Sequence, residues 1–172
     1  MRTAAEFMSA MGFIKAESSG NFRPYRSIKR SELVDAIGQM FLHTDKTNTV
    51  GFSDVLPGDP SYDFLAAGVE SSIIQGYGDD TFGGELPATR QELLTMCANT
   101  LVAGNICSYP EAPESFIKFS DRDRIAGYAV NAVALAVQQR LIESGGRLEP
   151  EAEASRGFAA LVLYRMYTQY FR

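Results

Sequence analysis

The sequence predicts an all-α protein built from three helix-loop-helix repeats. Arg30, Arg90 and Arg156 lie 60 and 66 residues apart, and each opens an apolar segment with helical periodicity. A stretch rich in Gly, Asn, Asp and Ser precedes each arginine, and these residues favour turns. The sequence shows no convincing alternation of apolar and polar residues, the pattern of a half-buried strand. Spacings this regular indicate an internal repeat.

Other positions recur at matched distances from these arginines. A large apolar residue stands eight positions before each arginine, and a turn-forming Pro or Gly stands six positions before. An apolar pair further back closes a preceding helix. The offsets divide the chain into repeats at residues 1–45, 46–110 and 111–172. Because one helical pair cannot bury both of its apolar stripes, we expect the three repeats to pack together.

The second and third repeats also share a beginning. Asp54 lies 36 residues before Arg90 in the tripeptide Phe-Ser-Asp, and Asp121 lies 35 residues before Arg156 in the same tripeptide. The first repeat shows no such element, so we expect it to be incomplete at its N-terminal side. Asp54 and Asp121 are expected to be helix caps or hydrogen-bond acceptors rather than ligand contacts.

Capping signals predict where the helices begin. Asp59 followed by Pro60 predicts a helix from that point to about Ser72. In the third repeat the first helix is expected to be longer, over about 123–143. Residues 89–92 have the Thr-x-x-Glu form of a capping box, which makes Thr89 the N-cap, Arg90 the first helical residue and Glu92 the reciprocal partner. The matching positions hold Lys29 and Glu32 in the first repeat and Ser155 in the third.

Composition restricts the partners. The 172 residues are 45% hydrophobic, enough for one sizeable core. The net charge of −5 provides no basic field for nucleic acid or an anionic membrane surface. Two cysteines and one histidine form neither a disulfide framework nor a His/Cys metal cluster. We therefore expect no cofactor, no metal, no nucleic acid and no membrane partner.

The second repeat, "FSDV…IIQGYGDDTFGGELPATRQEL", resembles the S-layer homology repeat of bacterial surface proteins. That family's pattern runs Phe-x-Asp-Val, a helix, Gly-Tyr-x-Asp-Gly-x-Phe, and Ile-Thr-Arg-Ala-Glu at the start of a second helix. The likeness is recognisable in the third repeat and confined in the first to "GFIKAESSGNFRPYRSIKRSEL". It implies three tandem repeats folded into one pseudo-threefold helical prism. It also implies a non-catalytic module that binds secondary cell-wall polysaccharide, often carrying a pyruvate ketal, and that serves S-layer or other surface proteins.

The chemistry of such a ligand suits an arginine at a helix start. A ketal pyruvate presents a carboxylate, which the planar guanidinium can bind through two parallel hydrogen bonds. Free backbone N–H groups at the helix N-terminus would point at the same anion. Loop glycines would let the backbone approach a sugar, and Tyr77 would offer a face for a pyranose ring. The candidate ligand-binding residues are Arg90, Arg30, Arg156, Thr89, Gln91, Tyr77, Gly76, Gly83, Gly84 and Ser155.

We do not expect the three arginines to bind a ligand equally well. Arg90 ranks first because its repeat keeps both the capping box and the Gly-Tyr loop. Arg156 is expected to be structural or a weak site, because the glutamates of its own loop would repel an anion. An alternative is that each arginine pairs with a loop aspartate or with a glutamate of a neighbouring repeat, and so holds loop and helix together. Tyr62 and Tyr128 are expected to replace a tryptophan that is common in the family's first helix.

Other classes of function stay open at this point. The same fold could be a protein-interaction scaffold whose grooves have lost their ligand, and a paired-carboxylate hydrolase is the least supported reading. Residues 1–20 lack the continuous apolar centre of a secretory signal. Taken alone that suggests a cytoplasmic protein, but an excised segment of a longer chain would look the same. The resemblance implies a location at the cell wall.

Overall fold

The computed structural model describes residues 2–17, 20–44 and 49–171, and over these ranges the regular structure is helical with no strand. Each repeat contributes two α-helices. They are α1 (Arg2–Ala10) and α2 (Arg30–Phe41), α3 (Tyr62–Glu70) and α4 (Arg90–Ala103), and α5 (Val130–Gln138) and α6 (Arg156–Tyr170). The all-α prediction is confirmed. The second helix of every repeat begins at the predicted arginine.

The helices pair between repeats in a cyclic order. Helix α3 packs against α2, α5 packs against α4, and α1 packs against α6. The first helix of each repeat therefore lies on the second helix of the preceding repeat, and α1 completes the cycle on α6. Helices α2, α4 and α6 also contact one another. All three repeats contribute to one buried core, as Met8, Leu93 and Leu163 illustrate. The prism outline itself stays a prediction.

Three short extended segments meet where the second helices begin. Ile28, Ala88 and Ala154 are fully buried at their centres. The N–H of Ile28 donates to the carbonyl of Ala154 at 2.9 Å, Ala88 donates to Ile28 at 2.9 Å, and Ala154 donates to Ala88 at 2.8 Å. Each repeat thus donates one hydrogen bond to a second repeat and accepts one from the third. This closed ring fixes the positions of the three helix starts.

The loops before the three arginines share their backbone conformation. Ten residues before each arginine the chain adopts a positive φ, at Gly20 (75°), Asp80 (61°) and Gly146 (66°). Seven residues before, it does so again, at Arg23 (48°), Gly83 (69°) and Glu149 (55°). Non-glycine residues rarely adopt this region, so its recurrence at matched positions shows that the loops are structurally equivalent despite different sequences.

The first helix of the second repeat begins later than predicted. Helix α3 starts at Tyr62 with Ser61 in the N-cap position, so the assignment of Asp59 as a cap is wrong. The carboxylate of Asp59 instead accepts a hydrogen bond from the N–H of Leu56 at 2.8 Å, and its carbonyl accepts from Tyr62. Asp59 and Pro60 therefore belong to a turn before the helix.

The expected long helix over 123–143 is also wrong. Two 3₁₀ turns, Arg122–Arg124 and Gly127–Ala129, precede the nine-residue helix α5. Ala126 between them is extended, with φ −62° and ψ 145°, and its N–H donates to the side chain of Gln91 at 2.9 Å. A contact with another repeat therefore overrides the local helical pattern. Arg140, with a φ of 57°, lies just beyond the end of α5.

Candidate functional site

Each arginine at a helix start reaches the loop of another repeat. The Nε of Arg30 donates to the carbonyl of Phe82 at 2.9 Å, and the Nε of Arg156 donates to the carbonyl of Phe22 at 2.9 Å. A terminal nitrogen of Arg90 donates to the carbonyl of Leu148 at 2.7 Å. The acceptor in every case is the large apolar residue eight positions before another of the arginines. The arginines therefore link repeat 1 to 2, 2 to 3, and 3 to 1.

The backbone N–H groups at these helix starts are occupied. Arg30 and Ser31 donate to the carbonyls of Leu86 and Gly84 at 2.9 and 3.0 Å. The equivalent pairs in α4 and α6 donate in the same way to loop carbonyls of another repeat. The expectation that these N–H groups are free to bind an anion is therefore wrong, because closing the ring of repeats uses them. These N–H groups therefore hold the repeats together.

Two of the arginines are buried and already paired with carboxylates. Arg30 is 2% exposed, and its guanidinium lies 3.2 Å from the carboxylate of Glu92. It also donates to the carbonyl of Gln75 at 3.0 Å. Arg156 is 1% exposed and pairs with Glu32, the residue equivalent to Glu92. Burial lowers the pKa of Arg156, and the charge of Glu32 opposes that shift. The alternative of a pair with a glutamate of a neighbouring repeat is therefore confirmed at both positions, and it is confirmed at Arg90 as well, through Glu149.

Arg90 lies in a different environment. Phe158 occupies the position equivalent to Glu32 and Glu92, and its ring centroid lies 5.4 Å from the guanidinium carbon of Arg90. The carboxylate beside Arg90 is instead that of Glu149, at 3.0 Å, whose side chain is 46% exposed. The Nε of Arg90 is buried and has no hydrogen-bond partner among the described residues. The side chain of Arg90 is 30% exposed. The side chain of Arg90 is therefore partly open to solvent, although its Nε is not.

Three grooves run beside these arginines, and we number them by the repeat whose loop lines each one. The first groove encloses about 100 Å³, the second about 310 Å³ and the third about 170 Å³. Ligand pockets typically enclose about 300 to 1,000 Å³, so the second groove alone among these three reaches that size. Residues on the first groove include Lys15, Glu32, Asp35 and Gln39; on the second, Arg30, Gly76, Tyr77, Glu92, Asn99 and Tyr128; on the third, Arg90, Glu143, Arg147, Phe158 and Arg165.

The second groove is aromatic at its edges. Tyr77 and Tyr128 are 37% and 60% exposed, and the ring of Tyr77 lies 4.6 Å from the guanidinium carbon of Arg30. The Tyr77 hydroxyl donates to Glu92 at 3.1 Å. Burial and the nearby Glu92 carboxylate raise the pKa of Tyr77, so its hydroxyl is protonated at neutral pH. Exposed tyrosine faces beside polar groups are suited to stacking on a sugar ring.

The third groove is rich in arginine. Arg90, Arg147 and Arg165 line it together with Glu143. Arg165 donates to the carbonyl of Leu141 at 3.0 Å and lies 3.2 Å from Glu143, whose side chain is 85% exposed. The Nε of Arg147 lies 3.8 Å from the carboxylate of Asp121, so each of the three arginines has a carboxylate within ion-pair distance. The third groove therefore combines a partly exposed guanidinium with arginines whose charges are balanced by nearby carboxylates.

The candidate residues do not form one site. Tyr77, Gly76 and Glu92 lie with Arg30, whereas Arg90 of the same repeat lies with the third loop. Gln91 lines none of the three grooves; it is 7% exposed and accepts a hydrogen bond from Ala126. Thr89 and Ser155 are helix caps that accept from the N–H groups of Glu92 and Phe158 at 3.3 and 3.1 Å.

The loop glycines serve packing. A Cβ at Gly76 would lie 2.2 Å from the ring of Phe52, and one at Gly83 would lie 2.7 Å from the ring of Tyr77. Gly76 and Gly83 thus let aromatic rings approach the backbone, and Gly83 also has a positive φ. Gly83 and Gly84 line a separate cavity beside Asp54. The rings that approach these glycines belong to the protein, and the approach of a sugar to them stays a prediction.

Asp54 and Asp121 accept hydrogen bonds as predicted. Asp54 accepts from the N–H groups of Phe82 and Gly83 at 2.7 and 2.8 Å. Asp121 accepts from Leu148 and Glu149 at 2.9 and 2.8 Å. Desolvation opposes the charged form, but these hydrogen bonds outweigh it and lower the pKa of both carboxyl groups. Each aspartate therefore holds its loop in place through a bidentate contact.

Sequence reasoning missed the groove residues nine positions after each arginine. Asn99 and Arg165 occupy that position, and both donate to the backbone at the end of the preceding helix, at Ile73 and Leu141. Gln39 occupies it on the first groove. A polar residue at the same offset in all three apolar helices was a signal that could have identified them. The sequence did single out Tyr128, but as the replacement for a tryptophan that is common in the family and not as part of a particular groove.

Comparison with known proteins supports the resemblance of the second repeat. A profile of the S-layer homology domain matches residues 51–94, which carry the Gly-Tyr loop and the start of α4. The similarity of this segment to the S-layer homology domain is therefore confirmed. This family is known for anchoring proteins to the cell wall, and the domain itself is non-catalytic.

Two larger bacterial proteins are similar to the chain over most of its length. The surface-layer 125 kDa protein of Lysinibacillus sphaericus is 26% identical over 169 residues, which cover 95% of this chain and 14% of that protein. The amylopullulanase of Thermoanaerobacterium thermosulfurigenes is 24% identical over 161 residues, which cover 92% of this chain and 8% of that protein. The chain thus spans a small part of each relative.

No helix in the described ranges is long and apolar enough to cross a bilayer. Those residues also contain no group of three or more His, Cys, Asp or Glu side chains placed to hold a metal ion.

Proposed function

We propose that this chain anchors a protein to the bacterial cell wall by binding an acidic wall polysaccharide across the second and third grooves. The observation that carries the proposal is the contrast at the three helix starts. Arg30 and Arg156 are paired with Glu92 and Glu32, whereas Phe158 leaves Arg90 without that carboxylate. A ligand carboxylate would pair with Arg90 in place of the exposed Glu149.

The third groove would bind the acidic group of the glycan. Arg90 has a buried Nε without a partner among the described residues, and once the side chain turns toward the groove an incoming carboxylate would satisfy this N–H while pairing with the guanidinium. The exposed Glu143 pairs only weakly with Arg165, so Arg165 would add favourable long-range attraction. The exposed side chain of Glu149 would have to move aside, which the low strength of exposed ion pairs permits. A pyruvate ketal is the carboxylate that the family resemblance favours.

The second groove would bind a neighbouring sugar through its tyrosines. Its volume of about 310 Å³ and the exposed rings of Tyr77 and Tyr128 suit a pyranose better than an anion, because Glu92 already neutralises Arg30. In this proposal Arg30 positions Tyr77 and does not contact the ligand carboxylate. The glycan would therefore be held by an ion pair in the third groove and by ring stacking in the second groove.

The test is binding of the purified protein to wall polysaccharide with and without its pyruvyl groups. Arg90→Lys keeps the charge but removes the planar fork, and we expect at least about tenfold weaker binding to the pyruvylated glycan. Arg122→Lys is the matched control, because it makes the same change at an exposed side chain outside the grooves. Equal binding by the pyruvylated and depyruvylated glycans would contradict the carboxylate assignment. Binding to a surface protein but to neither glycan would favour the interaction-scaffold alternative.

A further inference from the structure

The side chain of Gln91 is buried and contacts the backbone of another repeat. Gln91 is the second residue of α4 and is 7% exposed. Its side-chain oxygen accepts a hydrogen bond from the N–H of Ala126 at 2.9 Å, across the boundary between the second and third repeats. An unpaired amide buried at this place would cost free energy, so the bond specifies where the two groups lie. The contact therefore ties the start of α4 to one point of the third repeat.

Ala126 is held through both of its backbone polar groups. Besides the N–H that Gln91 binds, its carbonyl accepts from the N–H of Ala129 at 2.8 Å. Ala126 is extended and separates the 3₁₀ turns Arg122–Arg124 and Gly127–Ala129. An N–H group in an uninterrupted helix would donate to the carbonyl four residues earlier, so the bond to Gln91 favours the break. The second 3₁₀ turn therefore begins at a fixed place.

The second 3₁₀ turn carries Tyr128 to the edge of the second groove. Tyr128 is 60% exposed and lines this groove together with Tyr77 and Arg30. Partial burial raises the pKa of Tyr128, Glu92 adds to this rise and Arg30 opposes it, so the phenol lies within electrostatic reach of both charges. All three repeats thus contribute to one groove, through Arg30, Tyr77 and Tyr128.

The hydrogen bond has no counterpart at the boundary between the first and second repeats. Ser31 and Gly157 occupy the position of Gln91 in the first and third repeats, one residue after their arginines. Pro60 occupies the position of Ala126, at the same distance before the arginine of its repeat. Proline has no N–H, so this bond cannot form between the first and second repeats.

Tyr62 is the equivalent of Tyr128, and it lies in a different environment. Tyr62 begins α3 and lines the cavity beside Asp54. Among the described residues, no tyrosine lines the first groove, which encloses about 100 Å³. The tyrosine at this position therefore reaches a groove at the boundary where the Gln91 bond is present, and not at the boundary where the bond is missing.

We propose that Gln91 is a positioning residue for the sugar bound by the second groove, an inference that rests on the function proposed above. Gln91 holds Ala126 extended, and the following turn then presents the ring of Tyr128. The rings of Tyr128 and Tyr77 together form the surface on which a pyranose stacks. Gln91 acts through Tyr128 and does not touch the glycan.

A double-mutant cycle measured by isothermal titration tests the proposal. Gln91→Met keeps the length of the side chain but removes the acceptor, and Tyr128→Ala removes the ring. We expect each variant to bind pyruvylated wall polysaccharide about fivefold more weakly than the wild type, because one stacking surface is displaced or lost. The double variant should bind no more weakly than Tyr128→Ala, since Gln91 acts only through that ring. Gln138→Met is the matched control, because it makes the same change at an exposed residue of α5 outside the grooves.

Ala126→Pro removes the same hydrogen bond from the donor side and reproduces Pro60. The backbone is compatible with proline there, because Ala126 has a φ of −62° and Ile125 before it is extended, with φ −71° and ψ 122°. We expect a similar loss of affinity, and the combination with Gln91→Met should bind no more weakly than either variant alone. Thermal unfolding establishes that each variant is folded at the titration temperature, and Ala126→Pro carries the test should Gln91→Met not fold.

The outcomes separate this role from the function on which it rests. Wild-type affinity of the folded Gln91→Met or Ala126→Pro variant, with weaker binding by Tyr128→Ala, would overturn the positioning role and keep the second groove as a sugar site. Losses that add in the double variant of Gln91 and Tyr128 would also overturn it, because Gln91 would then act through another group. Wild-type affinity of Tyr128→Ala would reject the sugar assignment of the second groove and this inference together.

Discussion

The helix starts of α4 and α6 carry the same arginine but use it differently. Arg156 is 1% exposed and bound by Glu32 and two backbone carbonyls, whereas Arg90 is 30% exposed and contacts the exposed Glu149. The difference originates in one residue, because the reciprocal glutamate of the capping box is replaced by Phe158 in the third repeat. In this repeat protein, loss of a structural partner in one copy leaves a charged group accessible for binding.

The largest expected loss in the free energy of unfolding comes from replacing the buried Arg156. Arg156→Ala removes the partner of Glu32 and leaves the carbonyls of Phe22 and Lys15 without a donor, so we expect a loss of about 3 to 5 kcal/mol in the free energy of unfolding. Arg90→Ala is the comparison and should cost about 1 kcal/mol. Urea unfolding monitored by circular dichroism measures both. Similar losses for the two variants would refute the distinction between them.

Asp121 tests how the third loop is held. Asp121→Asn removes the charged acceptor of the Leu148 and Glu149 amides and should lower the free energy of unfolding by about 2 kcal/mol at pH 7. The folded pKa of Asp121 is lowered from 3.8, so the stabilisation is present above that value and is lost as pH falls through the folded pKa. The gap between wild type and variant should therefore shrink below about pH 3.8. A gap that does not change with pH would contradict this role.

Restoring the missing glutamate should close the accessible site. Phe158→Glu places a carboxylate beside Arg90, and Phe158→Gln is the matched control because it has a similar shape and can form the same capping box without the charge. We expect about tenfold weaker binding of the acidic glycan to the Glu variant than to the Gln variant, or about 1.4 kcal/mol. Isothermal titration with both variants measures the ratio. Equal affinities would show that charge at Arg90 does not matter.

The smallest expected change in stability concerns the N-cap of α2 in the first repeat, which lacks a side-chain acceptor. Lys29 occupies the N-cap of α2 but offers no side-chain acceptor, although its N–H donates to Glu32 at 3.0 Å. Lys29→Thr would complete the capping box found at Thr89 and should stabilise the fold by about 0.5 to 1 kcal/mol. Loss of the exposed pair between Lys29 and Glu85 should subtract little. Thermal unfolding measures the change, and a lower melting temperature would show that the Glu85 pair outweighs the cap.

The sequence predicted local features well because capping and turn chemistry act within a few residues. Thr89, Arg90 and Glu92 form the predicted cap, and the repeat offsets correspond to recurring backbone conformations. The sequence did not predict which loop an arginine reaches, since that depends on how the repeats close on one another. Tyr77 and Arg90 belong to one repeat yet line different grooves. Ring closure also uses the helix-start amides that looked free from the sequence alone.

In the proposed complex, Arg90 binds the acidic group while Arg30 and Arg156 hold the repeats together. The most direct measurement is the ¹H–¹⁵N spectrum of arginine Nε groups during titration with pyruvylated wall polysaccharide. We predict that the Arg90 Nε signal shifts and becomes protected from exchange, because its buried N–H gains an acceptor. The Arg30 and Arg156 signals should stay in place, because carbonyls already bind those N–H groups. Shifts of the Arg30 or Arg156 signals without a shift of the Arg90 signal would contradict this assignment of roles to the three arginines.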